Sequence, residues 1–94
     1  MPTFALSCID KPRSLDLRMA TRPAHLAYIS GLGAAVKVAG PYLDDAGDLC
    51  GSLILLEAAD LAAAQAISAG DPYVQAGLFE RVEIRPFRLL VVNT

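Results

Sequence analysis

Two segments of this chain are apolar on both faces when read as strands, yet the sequence supplies only two substantial helices to cover a sheet. In Thr3-Phe4-Ala5-Leu6-Ser7-Cys8-Ile9, the residues Phe4, Leu6 and Cys8 fall on one side and Ala5, Ser7 and Ile9 on the other. Gly51-Ser52-Leu53-Ile54-Leu55-Leu56-Glu57 repeats the pattern. Alternating side chains that are apolar both ways belong to strands covered on two sides. Two helices can cover one face only, so the other face calls for a second cover. Sheet-to-sheet packing of two copies is the simplest supply. A hydrophobic content of 54% in 94 residues is high for a domain with so much surface per volume, which agrees with burial against another subunit.

The remaining elements follow from local chemistry. Ser14 to about Ala35 reads as helical, with a break predicted near Thr21 because Pro23 would clash with the preceding turn. His25, Tyr28, Ile29 and Leu32 share one stripe of this helix, which Arg22 and Arg18 extend toward its start. Val36–Ala39 reads as a short strand ended by Gly40-Pro41, followed by a polar hairpin loop from Tyr42 to Leu49. Asp60 caps a helix over Leu61–Ala69, and Gly70 stops it. Asp71-Pro72 starts a further turn with Asp as N-cap and Pro at the first helical position. A last strand is expected from about Glu80 to Val92, with a bulge or a sheet edge at Pro86 where the apolar phase flips. The order is β-α-β-β-α-β, the split βαβ pattern of ferredoxin-like α+β domains. The length fits a single domain over residues 1–94.

Composition removes several function classes. A net charge of −2 lacks the concentrated basic field that nucleic acid binding requires. No apolar run approaches the ~20 residues needed to span a bilayer, and no secretory leader opens the chain, so a cytoplasmic protein with no membrane partner is expected. Cys8 and Cys50 have no CxxC neighbour, and reduced, buried thiols are the expectation. Asp44, Asp45 and Asp48 lack the twelfth-position glutamate of a calcium loop and read as a solvated turn. Ser52 has no Gly-x-Ser-x-Gly frame around it.

One residue stands out for chemistry. His25 is the sole imidazole of the chain, and imidazole is the side chain best suited to move protons at neutral pH. With no second histidine, and no Cys or carboxylate one helical turn away, a metal site is not expected. Asp71 is the carboxylate to test as its partner, because one oxygen can cap the turn while the other accepts Nδ1–H. Each residue also has a plain structural explanation: a packed histidine on an amphipathic stripe, and an N-cap aspartate. Arg22 carries the donor fork that binds anions. Tyr73 offers a hydroxyl, and Gly40, Pro41 and Ser52 are candidates for a pocket wall.

Arg22-Pro23-Ala24-His25-Leu26, Gly40-Pro41, Gly51-Ser52, Asp71-Pro72-Tyr73-x-x-Ala76-Gly77-Leu78 and Val82-x-Ile84-x-Pro86-Phe87 occur in order over nearly the whole chain. This set resembles the YCII-related (YciI-like) domain family. The resemblance implies a ferredoxin-like fold with a four-stranded antiparallel sheet, helices on one face and the other face buried in a dimer, as in the dimeric α/β barrels. It also implies that His25 and Asp71 correspond to the family's His–Asp active site. One branch of the family is similar to enzymes that eliminate chloride from chlorinated hydroxyquinones.

The expectation is therefore a small enzyme without a cofactor or metal, acting on a cyclic or aromatic-derived metabolite by proton abstraction, elimination or isomerisation. His25 would be the base and acid, Asp71 its orienting partner, and Arg22 or Tyr73 would position an oxyanion, with Gly40, Pro41 and Ser52 also facing substrate. The alternatives are a homo-oligomeric module that binds a small molecule without turning it over, and a purely structural oligomerisation domain.

Overall fold

The computed structural model describes residues 1–93. Strand β1 (Thr3–Asp10) leads into helix α1 (Leu15–Gly31) and a short 3₁₀ turn (Gly33–Ala35). Strands β2 (Val36–Leu43) and β3 (Leu49–Glu57) form a hairpin, and helix α2 (Leu61–Ala69), the one-turn helix α3 (Pro72–Gln75) and strand β4 (Phe79–Phe87) complete the chain. The strands form one sheet in the order β2-β3-β1-β4, and every adjacent pair is antiparallel. The two central strands are the two that read as apolar on both faces. This is the ferredoxin-like α+β arrangement.

One face of the sheet carries the core. Phe4, Leu6 and Cys8 of β1 face the same way as Ser52, Ile54 and Leu56 of β3, because they are register partners. They pack with Ala58 and Ala64, against Ile29 of α1 and Ile67 of α2. Asp60 caps α2 by accepting the Ala63 N–H at 2.8 Å. On the opposite face Ala5 lies beside Leu55, Ser7 beside Leu53 and Ile9 beside Gly51. No helix among the described residues packs over that face. Its centre is apolar, while Arg81, Glu83 and Arg85 of β4 line one side.

Four sequence expectations are corrected. Helix α1 does not break at Pro23, which lies inside it. The lost bond would have gone to the Met19 carbonyl, on a face where Met19 and Pro23 are exposed and water can serve as donor. Buried Arg18 and His25 pin the helix on either side of the proline. Strand β2 does not end at Gly40-Pro41 but continues to Leu43, which shortens the hairpin turn to residues 44–48. An edge strand tolerates a proline whose missing N–H would have faced outward. Strand β4 ends at Phe87 rather than Val92, because Phe87 already pairs with Thr3, the first residue of β1. Of the two readings at Pro86, the edge agrees with the sheet order, in which β4 is outermost; Pro86 pairs in register with Phe4, and the irregularity of this ladder lies at Ile9 and Asp10. Cys8 is buried and Cys50 only half-buried; both are free.

Candidate active site

Helix α1 brings Arg18, Arg22 and His25 to one side of the molecule at helical spacing. The α2–β4 connection brings Asp71 and Tyr73 to meet them. Asp71 is the N-cap of α3, and its Oδ1 accepts the Tyr73 backbone N–H at 2.9 Å. The same carboxylate meets His25: Nδ1 lies 2.8 Å from Oδ1 and 3.0 Å from Oδ2. The cap and the pairing therefore coexist on one carboxylate, across 46 residues of sequence. Both residues are buried, His25 at 8% exposure and Asp71 at 4%.

An ionised carboxylate offers acceptors only, so this contact places the proton of neutral His25 on Nδ1. Nε2 is left with its lone pair. It has no hydrogen-bond partner among the described residues, yet none of their buried side-chain nitrogens or oxygens lacks one, so Nε2 reaches open space. That space is a cavity of about 220 Å³ between α1 and the β2–β3 edge. Besides His25, its polar wall holds Arg18, Arg22, Ser52 and Tyr73, and its apolar wall includes Ile54 and Pro41.

Tyr73 is almost fully buried, at 1% exposure. Its ring stacks on His25, with centroids 4.0 Å apart and planes inclined by 15°. Phe79 meets the same ring edge-on at 5.8 Å. Burial pushes the Tyr73 phenol above its ordinary pKa, outweighing the opposing pull of Arg18 and Arg22. A phenol held neutral can donate a hydrogen bond to an oxygen in the cavity.

Each residue singled out in the sequence can now be placed. His25, Arg22, Tyr73, Gly40, Pro41 and Ser52 all line the cavity, and Asp71 stands behind His25. Arg22 is exposed at the rim. Ser52 does not aim its hydroxyl freely into the cavity but accepts from Arg18 Nη2 at 3.0 Å. Sequence reasoning gave no role to Arg18 and Asp10. Arg18 is only 2% exposed and is forked onto Asp10, with Nε to Oδ2 at 2.7 Å and Nη2 to Oδ1 at 2.9 Å. The available signal was its place seven residues before His25 on the stripe; what periodicity does not show is that an arginine there is buried.

Cys8 touches the same core but is no nucleophile. Burial, reinforced by the nearby Asp71 carboxylate, pushes its thiol pKa up to about 12. No cluster of three His, Cys, Asp or Glu residues is placed to hold a metal among the described residues. A larger open hollow of about 660 Å³ near the chain termini contains the Lys37–Glu57 ion pair at 3.0 Å but no imidazole. No helix among the described residues is long and apolar enough to cross a membrane.

Fold and site together define a ferredoxin-like domain with a buried histidine–aspartate pair opening on a cavity of single-ring size. Residues 3–88 match the YCII-related domain, and the chain belongs to that family. It is 40% identical to protein YciI of Escherichia coli over 90% of this chain and 95% of that protein, and 36% identical to a Haemophilus influenzae protein over the same shares. Among solved structures it is similar to the 5-chloro-2-hydroxyhydroquinone dehydrochlorinase TftG of Burkholderia phenoliruptrix, in complex with 2,5-dihydroxybenzoquinone. That likeness has a TM-score of 0.85 and 32% identity, covering 92% of this chain and 93% of TftG. An antibiotic biosynthesis monooxygenase shares the fold at a TM-score of 0.58 and 11% identity.

Proposed function

We propose that this protein is an acid–base enzyme acting on a small oxygenated ring, by proton abstraction followed by elimination or isomerisation. The observation that carries the reading is the His25–Asp71 contact with Nε2 left open to a cavity. The similarity to a dehydrochlorinase of a hydroxylated ring supports the same class of substrate. Cavity size agrees: a void of ~150 Å³ accepts benzene, so about 220 Å³ has room for one substituted six-membered ring.

In this reading the Nε2 lone pair of His25 takes a proton from an acidified C–H or O–H of the substrate. Asp71 stabilises the imidazolium that results. The freed electron pair moves into the ring and either expels a leaving group as an anion or shifts a double bond while the proton returns elsewhere. Tyr73 O–H would donate to the oxygen that gains charge, and Arg22 at the exposed edge of the cavity would draw an anionic substrate toward it. Positioned acid–base catalysis of this kind contributes about 10²–10⁴-fold, enough for a ring proton already made acidic by neighbouring oxygens. We infer as well that two copies pair through their open sheet faces, where Ala5, Leu53, Leu55 and Val38 form an apolar centre.

The test is turnover of chlorinated and unsubstituted hydroxyhydroquinones by wild type, His25→Ala and His25→Gln. Folded His25 variants are expected to lose at least about 100-fold in kcat/KM. Variants that turn over an accepted substrate at the wild-type rate would remove His25 from the chemistry. Ligand binding by wild type without turnover of any ring tested would leave a binding module instead.

A further inference from the structure

The geometry points to Arg18, not the exposed Arg22, as the residue that binds an anionic oxygen of the substrate, through Nη1 aimed into the cavity beside His25. The assignment rests on the acid–base reading of that cavity and adds the charge its substrate must carry.

Three of the five guanidinium donors are accounted for by the fold. Nε donates to Asp10 Oδ2 at 2.7 Å, and Nη2 donates to Asp10 Oδ1 at 2.9 Å and to Ser52 Oγ at 3.0 Å. Nη1 has no partner within hydrogen-bond distance among the described residues, although the Tyr73 side chain lies close enough to the guanidinium to favour its charge. Arg18 is 2% exposed, no buried side-chain nitrogen among the described residues is unpartnered, and Arg18 lines the cavity beside His25, so that cavity is the space assigned to Nη1. A buried ion pair is seldom worth more to stability than apolar residues of the same volume. A fork clamped by a carboxylate and a hydroxyl, with one end free, is instead a rigid anion receptor. Asp10 and Ser52 are its positioning residues. Burial disfavours the Arg18 charge, but the contact with Asp10 outweighs that and leaves the guanidinium a stronger base than usual, so it stays charged in the wall.

Tyr73 fixes the spacing of anchor and base. Its ring is stacked on His25 at 4.0 Å, so that face is occupied. The guanidinium carbon lies over the same ring, 4.6 Å from its centre. Arg18 and His25 leave α1 two turns apart, about 10 Å along the axis, and the Tyr73 ring lies against both. A planar substrate lying across the Tyr73 edge would present its ionised oxygen to Arg18 Nη1 and its acidic hydrogen to His25 Nε2. Substrates of this site are therefore anions with charge and reactive hydrogen on opposite sides of one ring.

Titrations of 2,5-dihydroxybenzoquinone, anionic at neutral pH, and of uncharged 1,4-hydroquinone test the assignment. The proteins are wild type, Ser52→Ala, His25→Gln and the double variant Arg18→Gln with Asp10→Asn, which keeps a neutral hydrogen-bonded pair at the clamp. Wild type should favour the anion by about 10- to 100-fold, the worth of one charged hydrogen bond. The double variant should lose that preference while holding hydroquinone as before. Ser52→Ala leaves the ion pair intact and should weaken the anion alone by about 3-fold, and it decides the matter if the double variant does not fold. His25→Gln should keep the preference and lose turnover. The assignment is overturned if wild type shows no preference, if a folded double variant retains it, or if Ser52→Ala binds the anion as wild type does. Retained preference in the double variant with turnover lost in His25→Gln would remove Arg18 and leave the acid–base reading intact.

Discussion

Asp71→Asn isolates what the carboxylate does for His25. Aspartate Oδ1 accepts two hydrogens at once, from His25 Nδ1 at 2.8 Å and from the Tyr73 N–H at 2.9 Å, while Oδ2 lies 3.0 Å from the same Nδ1. In the isosteric amide one of these oxygens becomes an NH₂. If the amide oxygen keeps the cap, the NH₂ faces Nδ1 and forces the imidazole proton onto Nε2. If it turns to accept from Nδ1–H, the α3 cap is lost. Asparagine caps helices about as well as aspartate, so the first outcome is favoured and the tautomer flips. The folding cost is that of one charged hydrogen bond, about 1.5–3 kcal/mol. At ~4–8 °C per kcal/mol for a domain of this size, the variant stays folded at room temperature if the parent melts at an ordinary temperature. Activity should fall by about 10²–10⁴-fold, because an Nε2–H has no lone pair to act as base. Since His25 is the sole histidine, ¹⁵N–¹H correlation across the imidazole reports its tautomer without assignment and without a substrate. Nδ1–H is expected in wild type and Nε2–H in Asp71→Asn. An Nε2–H tautomer in the wild-type protein would refute the argument at its first step.

Other consequences are equally accessible. The Cys8 thiol has a folded pKa near 12 against an ordinary 9.0, so the folded state holds its proton more tightly than the unfolded state. That stabilisation is complete below pH 9 and disappears as pH rises toward 12, at up to about 1.4 kcal/mol per pH unit. Denaturant titrations from pH 8 to 11 should show this slope, and Cys8→Ala, though less stable throughout, should show a shallower one; Tyr28 and Tyr73, both raised by burial, add to it above pH 10. At Gly51 a Cβ would strike the Cys8 carbonyl oxygen and approach the Tyr42 ring to 2.8 Å, so Gly51→Ala should destabilise by about 1–3 kcal/mol in urea melts. If the open sheet face is a subunit interface, Leu53→Glu should halve the mass seen by sedimentation while the monomer keeps its far-UV dichroism. An unchanged mass would place the interface elsewhere.

Much of this architecture is legible in the sequence because it is written locally. The alternation of Phe4, Leu6 and Cys8 and the caps at Asp60 and Asp71 each depend on a few neighbouring residues. What the sequence hides depends on neighbours distant in the chain. Gly40-Pro41 reads as a stop until β2 proves to be an edge strand, where proline costs little. The apolar run Leu89–Val92 reads as strand until β1 runs out of residues to pair with it. Arg18 reads only as an extension of the His25 stripe, because its burial depends on Asp10 and Ser52, which come from two different strands. The candidate site divides the same way. His25 announces itself by being alone, and Asp71 by its turn chemistry, whereas the Asp10–Arg18–Ser52 clamp exists only in three dimensions.

Helix α3 has four residues and so no stability of its own. It is held by two buried side chains, Tyr73 within it at 1% exposure and Leu78 just after it at 0%. The carboxylate that orients His25 and the ring that lies against both His25 and Arg18 therefore sit on a docked segment rather than on the sheet itself. Site and scaffold are separable in energy: release of those two side chains would dismantle the proposed proton-transfer pair while the strands stay paired. In a chain this small, the proposed site is more fragile than the fold, and the first thing heat or denaturant should remove is the partnership between residues 25 and 71.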